Sequence, residues 1–168
     1  MKNIKTKIVI VLMLTLLIMS GCAKESGGDD AGPVSLEEIV EELYQGIDVP
    51  VYETVPLDPE NFEYFTFIPY EDTLSAVEAD ALVSITAHSL VVIHTEDGNG
   101  AVLAEKVAEN ADPNKWLCVR ADKVKVAYTS HYVILVMSDQ KMADAIMENF
   151  KAMAKDLDGM EMQLLSGK

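Results

Sequence analysis

The strongest constraint on this chain lies in its first 22 residues, because they decide which part is left to fold and on which side of a membrane. Lys2, Lys5 and Lys7 precede an uncharged apolar run from Ile8 to Met19, broken only by Thr15, and Ser20-Gly21-Cys22 follows. A positive segment, a short apolar segment and small residues, in that order, form a secretory signal peptide. The run is too short for an ordinary transmembrane helix. Small residues let a peptidase grip an extended backbone, and a cysteine directly after them is the mark of lipoprotein processing. The expectation is that residues 1–21 are removed and that the Cys22 thiol takes a lipid, with palmitate-type acyl chains, that holds the chain to the outer face of the cell membrane. More than one acyl chain makes such anchoring stable.

Removal of that leader leaves about 150 residues, enough for one domain with a real core. It also leaves Cys118 as the sole cysteine not committed to lipid, so no internal disulfide can form. The fold must then rest on hydrophobic burial. Within Trp116-Leu117-Cys118-Val119 the thiol is expected to be a small core hydrophobe. The whole chain carries a formal net charge of −15, and the leader removes lysines but no acid. Such a surface repels nucleic acid and anionic headgroups. The acids are scattered along the chain and read as a solvated face.

Ala23 to Pro33 is rich in Gly, Asp, Lys and Glu and has no apolar period. Residues 22–34 therefore read as anchor and flexible spacer, and 35–168 as a single α+β domain. Ser35 and Glu38 have capping-box spacing, ahead of an apolar stripe of Leu36, Ile39, Val40, Leu43 and Ile47. Pro50 and Pro56 make 48–58 irregular. Asp58-Pro59 looks like a cap and first turn of a short helix to about Phe65, in a segment dense with Phe62, Tyr64, Phe65, Phe67 and Tyr70. Those rings read as core beside a sheet.

Leu82 to Thr95 carries the strongest strand signal, with Val83, Ile85, Ala87, Ser89, Val91 and Ile93 on one face. Ser84, Thr86, His88, Leu90, Val92 and His94 lie on the other. Glu96 to Gly100 is a turn, and a helix over 100–111 buries Leu103, Ala104, Val107, Ala108 and Ala111. Lys123–Tyr128 and His131–Met137 form a hairpin about Thr129-Ser130. A helix from Asp139 to Lys155 buries Met142, Ile146, Phe150 and Met153, and 160–165 can add a last short strand. The order β-α-β-β-α-(β), behind an extra N-terminal helix, matches a ferredoxin-like antiparallel sheet with helices on one face. The strands at 82–95 and 131–137 are apolar on both faces, as central strands are, whereas Lys123 and Lys125 suit an edge.

Four segments then read as a set: Glu60 to Phe65, Ala87-His88-Ser89-Leu90-Val91-Val92, Asp112-Pro113-Asn114-Lys115-Trp116-Leu117-Cys118-Val119, and Tyr132 to Met137. Behind a lipobox, this order resembles a family of Gram-positive lipoproteins, the domain of unknown function 4358 type, over about residues 36 to 150. The resemblance implies a continuous extracytoplasmic domain and brings no catalytic residues with it.

No signature of catalysis, metal or nucleotide binding stands out, and no cofactor is expected. His88 and His94 share a strand face about 20 Å apart, far too distant for one metal ion with ligands about 2 Å away. His131 can approach one of them from a neighbouring strand. Asp97-Gly98-Asn99-Gly100 lacks the further ligand of a calcium loop, since Ala101 stands where an acid is needed. Ser89 and His88 point to opposite faces and make no catalytic pair. Trp116 is expected to seal its loop against the core. The leading expectation is a non-enzymatic, tethered binding or accessory domain. Its contact surface for a small-molecule ligand or envelope protein would be an open sheet face around His88, Leu90, Val92 and Lys125. The alternatives are a cell-envelope enzyme using His88 or His131 with a carboxylate, and a structural component of an envelope assembly.

Overall fold

A computed structural model describes residues 34–83 and 85–165; Cys22, the leader and the spacer to Pro33 lie outside the described residues. The elements are α1 (Leu36–Tyr44), β1 (Tyr52–Pro56), α2 (Phe62–Thr66), β2 (Leu74–Ala81), β3 (Ser89–Thr95), α3 (Gly100–Asn110), β4 (Lys123–Tyr128), β5 (Tyr132–Ser138), α4 (Gln140–Asp158) and β6 (Gln163–Leu165). They form an α+β fold around a six-stranded antiparallel sheet in the order β1-β2-β3-β5-β4-β6.

Local chemistry sets the helix ends. Ser35 caps α1 in a full capping box, its Oγ accepting from Glu38 N and its own N donating to Glu38 Oε2. Asp139 caps α4 by accepting from Met142 N, and Gly159 ends it at φ 69°. Gly100 opens α3 pressed against the β4–β5 turn, where an added Cβ would lie 2.2 Å from Thr129 O. Only glycine permits that approach.

Helices cover both faces, not one. Leu90, Val92, Ile134 and Val136 pack beneath α1 and α4, whose Ile39, Val40, Leu43, Ile146 and Phe150 are fully buried. Val91, Ile93, Val133, Leu135 and Met137 pack beneath α2 and α3, with Phe62, Leu103 and Val107. The reason is topological. β3 and β4 are parallel across β5, and β5 and β6 are parallel across β4. In the ferredoxin-like order the last strand returns beside the first. Here β2 already occupies that flank of β3, so β6 joins β4 instead. Both crossovers then run the same way across the sheet from strands of opposite direction. Right-handed connections of that kind place their helices on opposite faces.

Two strands went unread in the sequence. β1 runs through Pro56 in a segment expected to be irregular; as an edge strand it tolerates a residue without N–H. β2 replaces what the long alternating run from Leu82 suggested. The β2–β3 register pairs Asp80 with Ser89, so 82–88 is a hairpin loop and only Ser89–Thr95 is strand. The predicted edge, β4, is flanked by β6, though over just three residues. The α2 cap also differs: the helix begins at Phe62 behind Asn61, while Asp58 Oδ1 accepts from the backbone of Glu60 and Asn61 in the preceding turn.

Candidate functional site

The sheet face expected to be open is closed. His88, Leu90 and Val92 are all at 0% exposure under α1 and α4. Lys125 lies at the margin of that face, half-buried, in an ion pair with Asp144 of α4. That hydrogen bond, with one from Gln140, holds the Asp144 carboxyl below the usual carboxylate range.

His88 is a satisfied core group. Its Nε2 lies 2.7 Å from the Tyr44 hydroxyl and its Nδ1 3.0 Å from Ser138 Oγ. A neutral imidazole offers one donor and one acceptor, and the two hydroxyls complement either tautomer. The Tyr44 hydroxyl also reaches Ala79 O at 3.3 Å. Burial lowers His88 from 6.5 to about 4 and pushes the Tyr44 hydroxyl far above its ordinary value. An uncharged relay with every atom engaged, closed off from solvent, supports structure and not turnover.

On the opposite face, at the same end of the sheet, stands a charged cluster. Glu78 and Asp80 alternate along β2 toward the α2–α3 side, and the 111–122 loop carries Lys115 onto them. Lys115 Nζ is 2.8 Å from Asp80 Oδ2 and donates to Ser89 Oγ at 2.9 Å. Its side chain is only 3% exposed. Three rings surround the ammonium, with centroids at 4.8 Å for Phe65, 5.1 Å for Trp116 and 5.9 Å for Tyr64. Glu78 is buried at 7% exposure, and Glu78 Oε2 and Asp80 Oδ1 are both buried without a hydrogen-bond partner. Burial and then the neighbouring Asp80 charge raise Glu78 from 4.5 to about 7. Trp116 thus packs against the core as expected and also walls this cluster.

Sequence reading missed Glu78 and Asp80. The available signal was two acids spaced two apart within the alternation Val77, Ala79, Ala81, which has a strand period; that the acids turn inward is not recorded in it.

Cys118 is exposed, not buried, because Leu117 and Cys118 form the outward tip of the Lys115 loop. His131 does approach His94, with ring centroids 6.3 Å apart. Its Nδ1 lies 2.7 Å from Asp158 Oδ1, and its backbone N donates to Asp158 Oδ2 at 2.9 Å. Despite burial, which pushes it up, the Asp158 carboxyl stays below its usual range through hydrogen bonds from Thr129 and His131. Burial and the neighbouring His131 lower His94. The adjacent hydroxyls are engaged elsewhere: Thr95 Oγ1 donates to Asn99 Oδ1, and Ser130 Oγ contacts Met160 Sδ. Among the described residues no group of three or more His, Cys, Asp or Glu could hold a metal ion, and no helix is long and apolar enough to cross a membrane.

The β2–β3 loop is the conspicuous surface feature. Leu82, Val83 and Ile85 are 62, 48 and 83% exposed, and Val51, whose carbonyl accepts from Leu82 N, is 71% exposed. Leu117 is fully exposed on the loop that the Lys115–Asp80 pair fastens to this end of the sheet. Comparison with known proteins finds no matching family model, no matching curated protein and no matching solved structure.

Proposed function

We propose that this chain is an extracytoplasmic lipoprotein of the Gram-positive type it resembles, held to the membrane through Cys22, and that it is a non-enzymatic binding or accessory domain. Its contact region is the end of the sheet bearing the apolar β2–β3 loop. The observation that carries this reading is the exposure of Leu82, Val83 and Ile85 together with Val51. A hairpin tip needs no large apolar side chains. Grouped apolar exposure on a soluble surface marks a docking site. An acidic chain with an apolar end of this kind fits an envelope protein better than an anionic bilayer.

Crosslinked pull-down of the lipidated chain tests it. The double variant Leu82→Ser, Ile85→Asp is expected to lose the partner recovered by the wild type while melting at the same temperature. Unchanged recovery would remove the loop from the interface. For the anchor, Cys22→Ser is expected to abolish lipid-dependent membrane retention. Retention with normal processing would overturn lipidation.

A hydrolytic alternative narrows to His131, because it alone among the histidines combines 43% side-chain exposure with an orienting carboxylate, Asp158. Loss of an envelope-directed activity in His131→Ala, with partner recovery intact, would favour this second reading.

A further inference from the structure

We propose that the cage formed by Tyr64, Phe65, Trp116, Asp80 and Glu78 is a recognition site for a primary alkylammonium group, and that the Lys115 side chain is its resident, displaceable occupant.

The walls have the chemistry of such a site. Aromatic faces attract a cation through their quadrupole, and all three rings lie within the effective distance of Lys115 Nζ. Carboxylates at the base supply charge and hydrogen-bond acceptors. An ammonium has three donors. Lys115 uses one on Asp80 Oδ2 and one on Ser89 Oγ. Glu78 Oε2 and Asp80 Oδ1 are left without a donor. Buried polar atoms are ordinarily partnered; Lys115 supplies no hydrogen to Glu78 Oε2 or Asp80 Oδ1, which are left to each other, so the occupant by itself does not satisfy the cluster. A proton held by Glu78 covers part of that deficit, in line with its raised pKa. It also lets the cluster adjust its charge when a cation enters or leaves.

The occupant sits where it can be exchanged. Lys115 belongs to the 111–122 loop, which contains no helix or strand. Lys115 N to Asp112 O at 3.2 Å and Ala121 N to Pro113 O at 3.0 Å tie the base of that loop, and its tip is exposed. The cage itself meets solvent at Tyr64, 59% exposed, and at the Asp80 side chain, 22% exposed. A primary amine entering there keeps the hydrogen bonds to Asp80 and Ser89 that a quaternary ammonium cannot make.

The probe is n-butylammonium, which reproduces the lysine side chain from Cβ outward. Trp116, the only tryptophan in the chain, reports on cage occupancy by fluorescence. Titration of the full chain with n-butylammonium chloride, against sodium chloride at equal ionic strength, is expected to give a saturable change. Lys115→Ala removes the competitor and should bind at least about tenfold tighter. Tyr64→Ala, at an exposed ring, should weaken wild-type binding about fivefold. Tetramethylammonium should bind worse than the primary amine. No saturable response in either wild type or Lys115→Ala would show a structural ion pair and overturn the proposal. So would a response confined to Lys115→Ala, since the lysine is then a permanent fixture. Equal binding of tetramethylammonium would overturn the assignment to primary amines. If Lys115→Ala does not fold by circular dichroism, the wild-type and Tyr64→Ala titrations decide alone, and identical curves would place the amine elsewhere.

Discussion

One end of the sheet holds two buried polar clusters back to back, and they solve burial in opposite ways. Beneath α1, His88 is neutral and both its nitrogens meet hydroxyls, from Tyr44 and Ser138. Beneath α2 and the 111–122 loop, Lys115, Asp80 and Glu78 bring charges inside, and two carboxylate oxygens remain without partners. The flanking residues His88 and Ser89 are adjacent in sequence and belong to different clusters, because neighbouring residues at a strand end face opposite ways. A neutral, fully bonded network fixes a core. A charged network with spare acceptors costs stability unless something else uses it. That contrast is why the second cluster, and not the first, is the candidate for ligand recognition.

The largest expected effect tests whether the His88 face is core at all. Leu90→Ala should lower stability by about 3 kcal/mol in urea unfolding. A loss near zero would reopen that face as a surface. Asp80→Ala strands a Lys115 ammonium that is 3% exposed, and partial solvent access at Asp80 moderates the cost to about 2 kcal/mol. Tyr44→Phe removes one hydroxyl from the neutral relay and should cost about 1 kcal/mol. If Tyr44→Phe proved costlier than Asp80→Ala, the ranking of the two clusters would be reversed.

Protonation separates the clusters by sign. Glu78 is raised from 4.5 to about 7, so the native state holds that proton more tightly than the unfolded chain. The corresponding stability is present below 4.5 and is lost as pH rises through 7. His88 is lowered from 6.5 to about 4, so its contribution is present above 6.5 and is lost as pH falls through 4. Glu78→Gln removes only the first term. Relative to wild type, the variant should therefore gain stability as pH rises from about 4.5 to about 7 and level off above that, measured as urea midpoints. A constant difference across that range would show that Glu78 does not titrate with folding. The smallest effect is expected at Lys125→Ala, whose ion pair with Asp144 lies at the solvent margin and should leave the melting midpoint within experimental scatter.

Much of the fold was legible from local signals. The capping box at Ser35, the helix that starts about Asp139, the paired strands around Thr129-Ser130 and the short final strand fall where residue types and periods place them. β2 went unread although Val77, Ala79 and Ala81 alternate with Glu78 and Asp80, because acids at alternate positions suggest a solvated face and here that face is covered. Apolar alternation continues unbroken through Val83 and Ile85, so the hairpin loop looked like strand. Side chains that violate the pattern at a functional or interacting surface defeat pattern reading in just this way. The candidate site was illegible for the same reason, compounded by distance: Tyr64, Asp80 and Lys115 come from three separate segments.

What the sequence by itself determined is the Ser35 capping box, the β4–β5 hairpin, the long helices and the α+β class with an antiparallel sheet, because these depend on neighbours a few residues apart. Its reading of Cys22 stands as an expectation about address. What only the tertiary structure decided is which faces are covered and which charges meet. β2 occupies the flank of β3, β6 is displaced to β4, and α4 is thereby carried to the face that His88 shares. Strand order is a choice among pairings of comparable local energy, settled by the burial of the whole, and no local period records it.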